Sequence, residues 1–480
     1  ISYVVRSDGA YSPAFRSLIG LLTGDTASPG FWNVYFADFQ LPTANADICL
    51  NGRPVCQLEQ ADDEAIFSTE PITLQEKIDN YYLWSRRKFM FISPPKSKGM
   101  IFGPLPAALP VFRVGPDIVE LVPKFKYVGL WFTSTHRNIF AAHYAEQASK
   151  ARRVANATFA AVKSHLGSLP VREGLRLYMA RVDCYLISGG EISLDVDSRL
   201  INEHVEVQQS FLRRLLGLNS SMLAILYTET GQTPIKVRRL LRALSRLRYI
   251  LNLPGSEDLI VRDALLDSFA LYRSGKPCWI GDICLVLRHL PEPICVTDKD
   301  LRTDDGVKGI MEHVQRVLDA DLQRDIDSFE KTHLLRDRVE RIDEGEGQSR
   351  MGLVTRRRRH YLDVPILAHR RAITRLMLSD HNLSVERLRY PGRNRAAAPR
   401  ELRLCRFCRA AVEDEAHAIL VCTAHGALQP IRETFLREIC NDVGGFERKW
   451  TADHPYDFLK WLLSSRKIVL RLAKFVADVL

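Results

Sequence analysis

Four residues near the end of the chain constrain it most. Cys405, Cys408, His417 and Cys422 follow the pattern Cys-x2-Cys-x8-His-x4-Cys. Zn²⁺ takes four soft or borderline ligands in a tetrahedron, and a Cys-x2-Cys turn presents two thiolates side by side. The pattern predicts a small metal-nucleated knuckle over 405–422, with His417 and Cys422 on a helix spanning 413–422. The ordinary alternative is four unrelated core or surface residues, and four suitable ligands seldom coincide at this spacing. His425 is the other candidate for the nitrogen ligand. With all four positions filled there is no place for a reactive water, so the zinc is expected to be structural.

A second feature lies near the start. Gln60-Ala61-Asp62-Asp63 is flanked by Val55 and Leu58 on one side and by Ala65, Ile66 and Phe67 on the other. The pattern predicts a hairpin over 55–67 that presents two adjacent carboxylates. Carboxylate oxygens are natural Mg²⁺ ligands, and two such ions about 3.5–4 Å apart can clamp the attacking and leaving oxygens of a phosphoryl transfer. An Asp-Asp pair alone is more often a solvated turn.

The 480 residues are enough for two or three domains. At 46% hydrophobic and 26% charged, the composition is that of a globular chain and excludes a disordered one. The net charge of +10 favours a polyanionic partner. Apart from the knuckle's three, the ten cysteines are scattered, as expected of a reduced, intracellular protein. No apolar run reaches the roughly 20 residues of a membrane span, and no signal peptide is visible.

Along the chain, strands are expected over 1–6 and 12–19, joined at Asp8-Gly9. A helix is expected over 29–40, with Ser28 as N-cap and Pro29 at its first position. Asn51-Gly52 marks another turn, residues 71–90 have helical apolar spacing, and short strands follow over 100–102 and 112–130. This alternation predicts an α+β fold. From about 137 the pattern is helical, over 141–162, 171–187 and 198–216. The next helix carries Lys236, Arg238, Arg239, Arg242, Arg246 and Arg248 among leucines. Each arginine alone fits a solvated face; together they favour phosphates. Residues 275–300 read as a connector. Residues 306–343 read as a charged helix or helix pair, and Gly345-Glu346-Gly347-Gln348-Ser349 as a linker. The run Arg356-Arg357-Arg358-Arg359-His360 fits a nuclear-import or nucleic-acid patch and an exposed basic helix end equally well.

Several blocks carry a family resemblance. Gly20-Leu21-Leu22-Thr23-Gly24-Asp25-Thr26-Ala27-Ser28-Pro29 precedes the Asp pair. Ile92-Ser93-Pro94-Pro95-Lys96-Ser97-Lys98 with Met100-Ile101-Phe102-Gly103 follows it, and then comes Phe125-Lys126-Tyr127-Val128-Gly129. In order and spacing, over residues 1–132, these resemble LINE-type (non-LTR) retrotransposon reverse transcriptases. The Cys-Cys-His-Cys knuckle extends the resemblance toward the end of the chain. The resemblance implies a partial palm over 1–132, a helical thumb or connection over 133–255 and a helical linker region over 256–345. A basic C-terminal region with the knuckle would then occupy 346–480. The implied activity is RNA-directed DNA synthesis by two-metal nucleotidyl transfer. Asp62 would bind Mg²⁺ and Asp63 would assist, while Lys96 or Lys98 would neutralise or protonate the departing pyrophosphate. Gly24, Asp25, Ser28 and Pro29, with Gln60 and Ala61, would shape the floor under the nascent base pair. Phe125, Tyr127 and Gly129 would grip the primer. The implied partners are an RNA template, a DNA primer or target and deoxynucleoside triphosphates, and the implied location is the nucleus rather than the cytoplasm.

The chain departs from the family at definite points. Reverse transcriptases take a third carboxylate from a strand upstream of the Gly24-Asp25 block, and neither Asp8 nor Asp38 is placed to supply it. Since the chain opens on Ile1, the expectation is a piece of a longer protein with an incomplete polymerase site. Gln60 stands where an aromatic residue is usual, and Thr23 where glutamine is common. A second expectation, from another class, is a catalytically dead, nucleic-acid-binding retroelement remnant.

Overall fold

Turn chemistry sets the first part of the chain. Asn51 and Gly52 both take positive φ, at 51° and 81°, and close a hairpin between Ile48–Leu50 and Arg53–Val55. That is the two-residue turn whose twist suits paired strands. Val128 and Gly129, at φ 44° and 83°, do the same between Lys124–Tyr127 and Leu130–Thr133. Val128 is β-branched, so this position is strained.

The computed structural model describes residues 2–16, 21, 25–218, 222–254, 259–345, 348–393, 395–442 and 454–480. The chain forms two compact units, Ile1–Ala142 with Asp258–Asp267, and His143–Glu257 with Ser268–Leu480.

The first unit is α+β, as the sequence predicts. Its spine is the helix Pro71–Arg87. Tyr81 and Trp84 pack on a cluster of Phe36, Phe39, Leu41 and Cys56. Leu74, Ile78 and Tyr82 pack on Phe112, Val114 and Val119. Spacings of three and four residues thus give one helix two apolar faces. Gly115, at φ 58°, lies so close to the Tyr82 ring that a Cβ would come within 2.6 Å. Lys77 is buried in an ion pair with Asp47, whose carboxylate also accepts from the Ala44 N–H at 2.8 Å. Burial pushes the Lys77 pKa down.

The helix near the start is Ser28–Phe36, shorter than predicted. Ala27, not Ser28, holds the cap position, and the Asp25 carboxylate accepts from the Ala27 N–H at 3.0 Å. The strand expected over 12–19 is present only as Phe15–Arg16, with residues 17–20 outside the described ones. Pairing in this unit is local. Five sheets have two strands and one has three, and no wider sheet joins them among the described residues.

The second unit is mainly helical. The arginine-rich helix, Ile235–Leu251, spends much of its charge internally. Arg239 is buried against Asp195 at 2.9 Å, donates to the carbonyls of Leu186, Ser188 and Ser193, and lies over the Tyr144 ring. Arg238 pairs with Asp183 at 2.7 Å, and Arg248 with Asp304 at 2.7 Å. Lys236 and Arg246 remain exposed.

The helix expected to reach 343 ends earlier. Asp304–Ser328 is helical, Glu330–Leu335 is a tighter turn, and Val339–Gly345 pairs antiparallel with Gln348–Leu353. The linker expected at 345–349 therefore falls at the end of a hairpin, with Glu346 and Gly347 outside the described residues. The basic run beyond is not an exposed helix end. Arg356 pairs with Asp319, Arg357 and Arg359 with Glu340, and Arg358 with Asp363.

At the centre of this packing is Glu229, fully buried at the end of the helix Leu223–Thr230. It accepts from Arg338 at 2.5 and 2.8 Å and from the Tyr361 hydroxyl at 2.6 Å, and Arg359 lies 3.9 Å away. Burial alone would push its carboxyl up; Arg338 and these hydrogen bonds instead hold it down at about 2. Among the described residues, no helix is long and apolar enough to cross a membrane.

Candidate metal centre and carboxylate hairpin

The knuckle begins with a tight turn. Cys405 N–H donates to the Ala411 carbonyl at 2.8 Å, and Arg409 N–H donates back to the Cys405 carbonyl at 3.0 Å. Arg409 takes φ 52°, which folds the turn under Cys408. The second half differs from the predicted regular helix. His417–Val421 is a π-turn, closed by the Cys422 N–H donating to the His417 carbonyl at 2.8 Å. On an α-helix of about 3.6 residues per turn, residues five apart point roughly 140° away from each other. The wider turn brings them round to one side.

The four donor atoms consequently converge. Cys405 Sγ and Cys422 Sγ are 3.7 Å apart, Cys408 Sγ and His417 Nε2 are 3.4 Å apart, and all four lie within 4.8 Å of one another. Tetrahedral zinc bonds imply edges of about 3.8 Å between sulfurs and about 3.5 Å between sulfur and nitrogen. The residues therefore fit a structural zinc ion. Burial pushes the His417 pKa down, which keeps the imidazole neutral as a ligand must be. Burial also pushes the metal-free Cys405 thiol up to about 11, while the Ala410 N–H draws that of Cys408 down. His425 stands outside the ligand group, edge-on to Phe407 at 4.5 Å.

A supporting shell, silent in the sequence, holds the ligands. Asp414 accepts from the His417 N–H at 2.9 Å. Buried Arg432 donates to the carbonyls of Ile419 at 2.9 Å and Cys422 at 2.6 Å, satisfying the end of the π-turn. Glu413 accepts from the Ser384 N–H and hydroxyl at 2.8 and 2.6 Å. Glu415 is buried between His381 at 2.9 Å and His333 at 3.3 Å. Burial would raise the Glu415 pKa; the two histidines hold it far below the usual carboxylate range.

In the first unit the Asp pair lies on a hairpin, as predicted. Gln57–Gln60 pairs with Asp63–Ile66, Gln60 faces Asp63, and Ala61-Asp62 form the turn, with Ala61 at φ 56°. Residues 60–63 are exposed. Two side chains fix the backbone. Trp32 Nε1 donates to the Ala61 carbonyl at 2.9 Å, and the Tyr127 hydroxyl reaches the carbonyls of Leu58 at 3.2 Å and Asp63 at 3.4 Å. The helix opened by Ser28 and Pro29, the Asp hairpin and the hairpin of Phe125, Tyr127 and Gly129 therefore meet. Gly24 lies outside the described residues. Lys98 pairs with Glu120 at 2.7 Å, whereas Lys96 is exposed, and neither touches Asp62 or Asp63 among the described residues.

The hairpin also carries Glu59 and Glu64, directly opposite each other. Burial, reinforced by the Glu59 charge, pushes Glu64 from 4.5 to about 8, and neither Glu64 oxygen has a hydrogen-bond partner among the described residues. The folded state therefore holds a proton that the unfolded chain releases. This contribution to stability is fully present below pH 4.5 and lost as pH rises through about 8. Glu64→Gln should flatten that slope and melt above the parent at pH 8. Thermal melts from pH 4.5 to 8 check it; parallel profiles for the two proteins would refute it.

Compared with known proteins, the chain matches no family model, no curated protein and no solved structure.

Proposed function

We propose that this chain is part of a LINE-type RNA-directed DNA polymerase, with the Asp hairpin in its palm and a structural zinc knuckle in its second unit. The observation that carries the reading is the pair of hydrogen bonds from Trp32 and Tyr127 onto the hairpin backbone. They join three blocks that are distant in sequence and that the family resemblance expects around one site. Asp62 and Asp63 stand exposed at the hairpin turn, where their oxygens are free to take Mg²⁺. Bound Mg²⁺ would neutralise the charge that develops on the transferred phosphate. Tyr127 and Trp32 hold the turn in position. Lys98 is already paired with Glu120, so Lys96 is the better candidate for the departing pyrophosphate. Two carboxylates leave each ion short of protein ligands, and Mg²⁺ sheds its water reluctantly for so few.

Primer extension on an RNA template tests the reading. Residues 1–480 alone should give no product above an Asp62→Ala control in Mg²⁺ or Mn²⁺. Joined to the preceding segment of a related reverse transcriptase, they should extend the primer, and Asp62→Ala should abolish extension. Product from the 480 residues alone would refute the ligand argument. A joined protein that folds yet stays silent would favour the nucleic-acid-binding remnant.

Binding is tested separately. Affinity for an RNA–DNA hybrid should fall linearly in log K against log salt. Since Arg238, Arg239 and Arg248 are engaged in ion pairs and exposed Arg242 lies 3.6 Å from Glu191, Lys236 and Arg246 are the exposed cations of their helix with no ion-pair partner among the described residues. Replacing both with glutamine should lower the slope by about 1 to 2 in filter-binding titrations. Binding that ignores salt would remove the nucleic-acid role of this helix.

A further inference from the structure

In the second unit, a cavity of about 870 Å³ lies among the hairpin that begins at Val339, the basic run and the helix Pro455–Ser464. Its size suits a ligand of nucleotide dimensions. Neither the metal ligands nor the Asp hairpin line it.

Its charge is one-sided. Arg336, Arg338, Arg357, Arg359, Lys460 and Arg466 line it, against Asp337 and Glu340. Glu229 adds one carboxylate, which binds Arg338 and lies 3.9 Å from Arg359. Three carboxylates thus face six cations. Glu340 is shared by Arg357 and Arg359. Lys460 is 3.7 Å from an Asp337 that is 88% exposed, a weak pairing. Arg336 donates to the Phe329 carbonyl, and neither it nor Arg466 has an ion-pair partner among the described residues.

A second observation is independent of this count. Among the described residues, Arg336 Nε and His360 Nε2 are buried without a hydrogen-bond partner, while Arg359 Nε faces the Glu229 carboxylate at 3.9 Å. Buried donors are as a rule satisfied. Two such nitrogens on residues lining one positive cavity suit an anion with several acceptor oxygens, and a phosphate supplies them. The remaining wall includes Met351, Met377 and Trp461. Trp461 is half-buried and stacks on Phe458 at 5.6 Å. An indole beside thioethers suits a planar base.

We infer that this cavity binds a nucleotide, its phosphate held by Arg336 and Arg466 and its base against Trp461. The ligand is a nucleoside phosphomonoester, either free or at the end of a single strand. The inference stands apart from the polymerase reading, since Asp62→Ala should bind the same ligand as the parent does.

Equilibrium dialysis of the zinc-loaded 480-residue chain tests it with AMP, adenosine, and a short oligonucleotide with and without a 5′-phosphate. AMP should bind saturably and adenosine should not. Arg336→Gln and Arg466→Gln should each weaken AMP binding by about tenfold or more. Trp461→Leu should weaken AMP more than inorganic phosphate. If the phosphorylated strand competes better than AMP, the ligand is a strand end; if AMP competes as well, it is a free nucleotide. Either result supports the site. Should an arginine variant fail to fold, saturable protection of the parent against thermal unfolding by AMP and not by adenosine decides the matter. Absence of saturable binding by both AMP and the phosphorylated strand overturns the inference. So do folded arginine variants that bind as the parent does.

Discussion

Stripping zinc from the reduced protein should unfold the knuckle locally while the rest of the second unit keeps its structure. The purified chain should hold one Zn²⁺, and Cys405→Ser or His417→Ala should release it, whereas His425→Ala should not. The reason is in the distances: three sulfurs and one imidazole nitrogen lie within 4.8 Å, spaced as the edges of a zinc tetrahedron. Without the ion, three thiols share a small space, and burial drives the Cys405 thiol up to about 11. Metal binding removes the thiol protons, so affinity should fall as pH falls. Structural zinc contributes roughly 10–16 kcal/mol in small peptide knuckles. The effect should appear as lost hydrogen-exchange protection at 403–422, together with metal analysis. Reduced protein that contains no zinc, or keeps its protection in chelator, would sink the site.

Glu229→Ala should be the most damaging single change in the second unit, costing roughly 3–5 kcal/mol. The substitution removes the carboxylate that Arg338, Arg359 and Tyr361 share; Arg359 keeps Glu340, but the Arg338 guanidinium is left without its counter-charge. Glu229→Gln should recover part of the loss, because an amide oxygen can still accept from Tyr361. The acid limb carries the same information. Glu229 is held at about 2 when folded, against an ordinary value of 4.5. Its contribution is therefore present above pH 4.5 and lost as pH falls through about 2. Urea titrations at pH 7 and pH 3 should show a gap between parent and Glu229→Gln that narrows in acid. A loss under about 1 kcal/mol for Glu229→Ala would mean that the arginines find other partners.

What was legible in the sequence was what depends on neighbours. The Asn51-Gly52 turn, the Asp hairpin and the metal spacing are local patterns, and each is present. The α+β order follows from them. The misreadings have a common cause. The segment after Ser328 has helical charge density, but Val339–Gly345 finds a strand partner in Gln348–Leu353 and pairs instead. Arg239 looks like the other arginines of Ile235–Leu251, because nothing in the sequence announces Asp195, more than forty residues away, as its buried partner. Arg432 was invisible for the same reason: its partners are backbone carbonyls, which every residue has. The Glu59–Glu64 pair could be found only once the hairpin register was known.

The π-turn at His417–Val421 has its own consequence. It is a helical turn carrying one residue more than a regular helix would use. Deleting a residue such as Leu420 would let the backbone close into an ordinary helix, which in isolation is the better-bonded form. The deletion would then leave the two ligands four residues apart on one face, whereas a regular helix in the undeleted chain would swing Cys422 roughly 100° around the axis, out of reach of the other three ligands. The wide form of this turn, and not the number of its residues, is thus what a bound metal would hold against the regular helix. A chain that lost its zinc would gain freedom to slip into the regular register, and once there it would have to unwind before it could take the ion back.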